Sequence, residues 1–246
     1  MSPDGSHGPH VFVDDLDVPV LSEADAHHLQ RVLRLRPGAA LTISDGRGRW
    51  RTGTLGSSER SAEGAGDGGA AGSLIELGPV LQVERPAPAI AIAFALVKGE
   101  RPELVVQKLT ELGVDRIIPF VAERSVVRWD TDRAARNAER LTRVAREASM
   151  QSRRCWLPVV ERVATFDEVV AEPGAAAADP GGGPLSLAHP TILVGPEGGW
   201  SASERERLPR VVALADHVLR AETASITAAG LLGALRSERV RPTGPR

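Results

Sequence analysis

Short apolar runs, separated by glycine, proline and aspartate, fill the first part of the chain. Their β-branched and aromatic residues predict strands at 11–13, 41–44, 50–55 and 74–83. Ser22, with Asp25 three residues later, predicts a helix start between these runs. The apolar face of that helix is His28, Leu29, Val32 and Leu33. The pattern predicts a small β-rich domain over residues 1–85.

The prolines at 86 and 88 mark a domain boundary, after which strand-like and helix-like patterns alternate. Strands are predicted at 90–97 and 116–121, and a helix from Pro102 to Gly113. Thr131 or Asp132 caps a long helix whose apolar stripe is Ala134, Ala138, Leu141, Ala145 and Ala148. The low-complexity stretches 57–73 and 173–188 are predicted to be loops. Residues 88–246 are therefore expected to form an α/β domain with a mainly parallel sheet.

Composition narrows the class of protein without identifying it. The 246 residues are 42% hydrophobic, carry a net charge of −2 and include a single cysteine, Cys155. One cysteine excludes an internal disulfide, and the histidine spacing predicts no metal site. No signal peptide or membrane-spanning run is evident, which predicts a cytoplasmic protein. Residues 98–154 contain 13 Lys or Arg against 9 Asp or Glu, a balance that suits a phosphate-facing surface.

Two segments near the C-terminus carry the candidate chemistry. Each follows an apolar strand and leads into a helical pattern: Gly195-Pro196-Glu197-Gly198-Gly199, and Leu219-Arg220-Ala221-Glu222-Thr223-Ala224. A glycine-rich turn between a strand and a helix presents backbone N–H groups to a ligand. The glycines have neither the P-loop nor the Rossmann spacing. Thr223 is expected near the start of a helix, where its hydroxyl would cap the helix or bind the ligand.

Five ordered motifs resemble the RsmE family of bacterial 16S rRNA uridine-N3 methyltransferases, within the SPOUT superfamily. They are His27-His28-Leu29 with Val32-Leu33-Arg34; Lys98-Gly99 with Gln107-Lys108 and 110–114; Glu147-Ala148 with Gln151-Ser152 and Arg154; and the two segments above. The resemblance implies a PUA-like β-barrel domain at 1–85 and a trefoil-knotted SPOUT domain at 88–246. It also implies a homodimer that binds S-adenosyl-L-methionine and acts on 16S rRNA, within the small ribosomal subunit.

Three sets of site residues are predicted, of which the resemblance implies the cofactor-binding set. Arg220 is the candidate for stabilising the uridine anion, and Glu222 for orienting Arg220 or transferring a proton. The cofactor set is Val194, Gly195, Pro196, Glu197, Gly198, Gly199, Val218, Leu219, Arg220, Thr223 and Ala224. The RNA-binding set is Arg34, Lys98, Arg101, Lys108, Arg124, Gln151, Arg153 and Arg154. Lys108 has an alternative role as the i,i+3 partner of Glu111.

Two other functions remain open on the sequence alone. One is methylation of transfer RNA by another SPOUT member. The other is a non-catalytic RNA-binding module for ribosome assembly that retains a cofactor pocket, because a fold and a cofactor site do not by themselves determine function.

Overall fold

The computed structural model describes residues 2–56, 74–96, 101–127, 129 and 131–240, without the side chain of residue 131. The chain divides into two compact units, Met1–Arg85 with Ser149–Leu157, and Pro86–Ala148 with Pro158–Arg246. Residues 149–157 had been assigned to the C-terminal domain, but they pair with the first unit. Gly48 N–H donates to the Cys155 carbonyl at 2.8 Å, and Leu157 N–H donates to the Gly46 carbonyl at 3.0 Å.

The first unit is built on a five-stranded sheet of order β1-β2-β3-β4, with β5 also paired to β3. The strands are β1 His10–Phe12, β2 Ala40–Ser44, β3 Arg49–Leu55, β4 Leu74–Ile75 and β5 Leu81–Gln82. β1 and β2 are parallel and the other pairs are antiparallel. The run 74–83, predicted as one strand, forms two short ones. The low-complexity segment 57–73 lies outside the described residues.

The helix of the first unit begins as predicted and then changes type. Ser22 caps α1 (Glu23–His27), accepting a hydrogen bond from Asp25 N–H at 3.1 Å. The chain continues as a π-helical turn over His28–Val32. Leu29 is buried, but Val32 and Leu33 are exposed. His28 is exposed as well, so the predicted apolar face is wrong at three of its four positions, because a π-turn does not keep the 3.6-residue period.

The second unit contains a seven-stranded parallel sheet of order β12-β10-β11-β6-β7-β8, with β9 also paired to β7. The strands are β6 Ala91–Ala95, β7 Arg116–Val121, β8 Val159–Val160, β9 Ala164–Thr165, β10 Ala175–Pro184, β11 Thr191–Val194 and β12 Val211–Ala213. The helices are α2 Arg101–Glu111, α3 Thr131–Ser152, whose last four residues belong to the first unit, α4 Phe166–Val170, α5 Ala202–Arg205 and α6 Ala221–Arg236. The α/β fold with a parallel sheet is confirmed.

Hydrophobic clusters cover both faces of this sheet. Ile92 and Phe94 pack with Val106 of α2 and Ala228 of α6 on one face. Phe120 packs with Phe166 and Trp200 on the other. β6 is buried at all five positions, as its apolar run predicted.

The sequence predicts a loop at 173–188, but this is wrong, because most of the segment forms β10. Ala175, Ala176 and Ala177 pair with β11, and Ala177 also pairs with β12. Alanine and glycine have low strand propensity, so the sequence gives no strand signal there. Small residues are nevertheless needed where β10 approaches β12, because a Cβ on Gly182 would lie 2.4 Å from backbone atoms of Val212.

Candidate active site

A cleft of about 300 Å³ opens beside the carboxyl ends of β11 and β12 and the irregular middle of β10, which lies between them. Its lining residues are 178–180, 194–197, 199–200, Arg205, 214–215, 217–219, Ala221 and Ala224. In open parallel sheets, ligands bind outside the carboxyl ends of the strands. The volume lies at the lower end of the range for small-molecule sites, roughly 300–1,000 Å³. The topology therefore brings both chemistry-bearing segments to one candidate site.

The glycine turn follows β11 and needs its glycines for two different reasons. Gly199 N–H donates to the Pro196 carbonyl at 2.8 Å, which closes the turn. Gly199 has a φ of 67°, in the left-handed region that favours glycine. Gly195 instead faces a close neighbour, since a Cβ there would lie 2.9 Å from the Trp200 ring. Crowding and backbone conformation thus constrain Gly195 and Gly199 more than Gly198, which has only ordinary contacts with Arg124.

Trp200 holds the glycine turn against the sheet. Its ring stacks on Phe120 with centroids 6.1 Å apart and lies 5.9 Å from the Phe166 ring. Trp200 is 4% exposed, and its indole N–H donates to the Ala178 carbonyl at 3.4 Å. The indole therefore connects the middle of β10 to the turn after β11, and it forms part of the cleft wall.

The short helix α5 is fixed immediately after the glycine turn. Ser201 and Glu204 form the predicted capping box. Ser201 Oγ and Ser203 Oγ also donate to Glu123 Oε2, at 2.6 and 2.9 Å. These hydroxyl donors hold the pKa of Glu123 below its ordinary value. The charged carboxylate after β7 thus anchors the start of α5.

The second segment, 219–224, leads into α6. The helix N-cap is Arg220, with no side-chain cap hydrogen bond, and Thr223 lies exposed in the first turn. Of the two roles expected for Thr223, capping the helix is therefore wrong, because the helix begins earlier, and binding the ligand stays a prediction. Leu219 and Ala221 line the cleft on either side of Arg220, whose own side chain is exposed. Arg220 itself is not among the lining residues.

Glu222 lies close to a different arginine from the one predicted. Its Oε1 is 3.8 Å from Arg101 Nη1, whereas the sequence had suggested Arg220 as its partner. The Glu222 side chain is 14% exposed, and its Oε2 is buried with no hydrogen-bond partner in the described part of the chain. A buried carboxylate oxygen without a donor is costly unless a ligand supplies one. This oxygen is a candidate acceptor for a substrate proton.

Three predicted RNA-binding residues of the second unit have protein partners. Arg101 forms an ion pair with Glu197 of the glycine turn, and Arg124 Nη1 donates to the Gly198 carbonyl at 3.2 Å. Lys108 pairs with Glu111 at 2.8 Å, the alternative that its spacing allowed. Arg101 and Arg124 thus support the glycine turn, while Lys98 lies outside the described residues.

The remaining RNA candidates belong to the first unit. Arg34 and Gln151 are exposed, and Arg153 and Arg154 are half-buried. Arg34 and Arg153 have positive φ values of 54° and 57°. Arg153 Nη1 is buried, with no hydrogen-bond partner among the residues that the structure describes. Their contact with RNA stays a prediction.

Eight of the eleven predicted cofactor residues line the cleft: Val194, Gly195, Pro196, Glu197, Gly199, Val218, Leu219 and Ala224. Gly198, Arg220 and Thr223 do not. Sequence reasoning missed the contributions of β10, above all Asp179, together with Trp200, Arg205 and His217. Asp179 was hidden in the segment predicted as a loop, and the others carry no local signal. Among the described residues, no group of histidine, cysteine and acidic side chains could hold a metal ion.

Comparison with known proteins identifies the class and then the family. A family described as RNA methyltransferase domain matches residues 84–233, and an RNA methyltransferase PUA domain matches residues 21–63. The ribosomal RNA small subunit methyltransferase E of Mycobacterium bovis is 30% identical, covering 92% of this chain and 91% of its own length. The Synechocystis protein of the same name is 32% identical, covering 87% and 72% respectively. The chain belongs to the ribosomal RNA small subunit methyltransferase E family.

A solved structure extends the likeness to the fold. The Neisseria gonorrhoeae ribosomal RNA small subunit methyltransferase E, bound to S-adenosyl methionine, is 25% identical with a TM-score of 0.75. The match covers 92% of this chain and 96% of that one. No helix among the described residues has the length and apolar character needed to span a membrane.

Proposed function

We propose that the protein uses S-adenosyl-L-methionine to methylate N3 of a uridine in 16S ribosomal RNA. Family membership supports methyl transfer to RNA, and the relatives' names support RNA of the small ribosomal subunit as the substrate. The observation that carries the proposal is the cleft formed by the glycine turn, residues 178–180 of β10 and the start of α6. A cytoplasmic location and a homodimer follow from this proposal as expectations, as does the knotted chain path implied by the resemblance.

The cleft has the chemistry that an adenosine-containing cofactor needs. Its walls combine apolar side chains, such as Val194 and Leu219, with glycines that let a ligand approach the backbone. The neighbouring end of α6 presents backbone N–H groups that lack intrahelical acceptors. S-adenosylmethionine would supply an electrophilic methyl group on its sulfonium. Bringing that methyl and the nucleophile into line provides roughly 7–11 kcal/mol of barrier reduction in well-oriented systems.

The chain's own residues would assist the nucleophile in two ways. Neutral uridine N3–H is a poor nucleophile, so its proton must be removed or the resulting anion stabilised. Glu222 Oε2, buried without a partner among the described residues, is suited to accept the proton. Arg220, exposed between two residues of the cleft wall, is suited to stabilise negative charge on a uridine carbonyl oxygen.

RNA recognition would then depend on the first unit, whose sequence matches an RNA methyltransferase PUA domain. Arg34 and Gln151 are its exposed candidates. Arg101, Lys108 and Arg124 are weaker candidates, because their charged groups already have protein partners. We expect phosphate contacts from the first unit to make binding fall with increasing salt.

The proposal can be tested by methyl transfer to small ribosomal subunits from cells that lack this modification. With labelled S-adenosylmethionine, nucleoside analysis should show 3-methyluridine in 16S RNA, and substitution of that uridine by cytidine should abolish it. Transfer of the label to transfer RNA, to a ribose hydroxyl or to a carbon atom would contradict the assignment. RNA and cofactor binding without transfer to any of these substrates would indicate a non-catalytic module.

A further inference from the structure

Few charged side chains line the cleft, and their positions indicate which charged ligand groups it can bind. Among the described residues that line it, four carry ionisable side chains: Asp179, Glu197, Arg205 and His217. Glu197 is already engaged by Arg101 outside the cleft wall. Arg205 is the one arginine of the described lining, and there is no lysine. A ligand with a single anionic group therefore has one permanently cationic partner available there.

Arg205 and Asp179 both line the cleft and form an ion pair with each other. Arg205 Nη1 lies 2.8 Å from Asp179 Oδ2, although the residues come from α5 and β10. The Asp179 side chain is 16% exposed, and its Oδ1 also accepts from Gly181 N–H at 3.2 Å. The Arg205 side chain is 55% exposed, and a guanidinium has five N–H donors, so it can bind a second anion. The pair thus offers one cationic and one anionic group side by side.

We propose that Arg205 binds the α-carboxylate, and Asp179 the α-ammonium, of the cofactor's amino-acid end. This inference rests on the proposed function, which supplies S-adenosylmethionine as the ligand. That molecule carries one carboxylate, one adjacent ammonium and a sulfonium, while its adenosine part is uncharged. A zwitterion laid antiparallel to the Asp179–Arg205 pair places each charge next to its opposite. Arginine suits a carboxylate because its planar fork can bind both oxygens.

The experiment uses two ligands that differ only in the amino-acid end. S-adenosylhomocysteine has this end but no sulfonium, and 5′-methylthioadenosine lacks both. Calorimetry would compare wild type with Arg205→Gln and with Asp179→Asn, which keeps the acceptor for Gly181 N–H. Arg207→Gln is the matched control, because Arg207 is an exposed arginine two residues away that pairs with Asp167, outside the cleft lining.

Arg205→Gln should weaken S-adenosylhomocysteine binding by about 10- to 100-fold, the range for a lost hydrogen bond between charged groups. It should change 5′-methylthioadenosine binding by less than about twofold, since that ligand has no carboxylate. Asp179→Asn should show the same selectivity with a smaller loss, and Arg207→Gln should match wild type. Equal losses for both ligands, or none for either, would overturn the assignment and leave the proposed function intact. A wild-type protein that binds neither ligand would overturn the proposed function as well.

Discussion

Arg101 at the start of α2 donates a hydrogen bond to Glu197 in the glycine turn after β11. The same Nη1 lies 3.8 Å from Glu222 Oε1 in the first turn of α6. One guanidinium therefore connects the two segments that the sequence marked as functional. Arg101 is predicted to bind RNA, and this geometry gives it a further role in supporting the glycine turn.

Replacing Arg101 should accordingly weaken cofactor binding. Arg101 is 37% exposed, and ion pairs of this kind contribute up to about 1 kcal/mol. We expect Arg101→Ala to lower S-adenosylhomocysteine affinity by up to about fivefold. Combining it with Glu197→Gln should cost less than the sum of the two single effects, because both remove the same contact. Lys108→Ala, on the same helix but paired with Glu111, is the control. If calorimetry showed that the loss of affinity in the double variant equals the sum of the two single losses, Arg101 and Glu197 would act independently, which would contradict this prediction.

The glycine turn should be most sensitive at Gly195. A Cβ there would lie 2.9 Å from the Trp200 ring, which is held by Phe120 and Phe166 and cannot easily move. Overpacking of this kind typically costs about 1–3 kcal/mol, so Gly195→Ala should reduce both stability and cofactor affinity. Gly198→Ala should stay near wild type, since its Cβ would be 3.4 Å from the nearest atom. Thermal melting and calorimetry on both variants would check this difference; a larger effect at Gly198 would contradict it.

Elements with a continuous apolar run could be predicted from the sequence almost to the residue. The strand at 116–121 has the bounds that its pattern gave, because positions 117–120 are fully buried within the sheet. β10 could not be predicted, since alanine and glycine lack the side chains that signal a strand. The π-turn after α1 also has no sequence signature in a 3.6-residue pattern.

The site was predictable only where it is local in sequence. The glycine turn and the segment 219–224 are short motifs, and most of their predicted residues line the cleft. Asp179, Trp200 and Arg205 join them through the strand order β12-β10-β11, in which β10 lies between two strands that follow it in the chain. Hydrophobic periodicity indicates which face of a strand is buried, but it does not say which strands are neighbours. The partners of Arg101 were missed for the same reason.

His10 should make folding sensitive to mild acid. It is 2% exposed, with Nδ1 2.8 Å from Thr42 Oγ1. Burial, and to a lesser degree the positive charge of Arg153, lowers the pKa of His10 from 6.5 to about 4. The unfolded chain therefore binds a proton between pH 6.5 and about 4 that the folded chain does not, so stability falls as the pH drops through this window.

Urea unfolding at pH 7.5 and pH 5 would measure this loss. His10 should contribute a decrease of about 2 kcal/mol between these values. His10→Gln, which cannot titrate, should remove this part of the decrease whatever its stability at pH 7.5. His7→Gln, at an exposed position, should retain it. An unchanged pH dependence in His10→Gln would mean that His10 is protonated in the folded protein.

Arg220 is the strongest candidate for electrostatic catalysis. Its neighbours Leu219 and Ala221 both line the cleft, and its side chain is exposed with no ion pair to any described residue. Such a cation is free to meet the charge that develops on a uridine oxygen. Removing one well-placed stabiliser typically costs about 10²–10³ in rate. We therefore expect Arg220→Ala to lower single-turnover methyl transfer by this factor, with cofactor affinity close to wild type.

Arg220→Lys should recover only part of the rate, because a point charge does not reproduce the planar guanidinium. Arg239→Ala, an exposed arginine beyond the end of α6, should keep the wild-type rate and serves as the control. Single-turnover rates at saturating cofactor, measured together with calorimetric affinities, distinguish an effect on methyl transfer to uridine from an effect on cofactor binding. A loss of affinity that accounts for the whole rate decrease would make Arg220 a structural residue of the cofactor site. A wild-type rate in Arg220→Ala would exclude it from the chemistry.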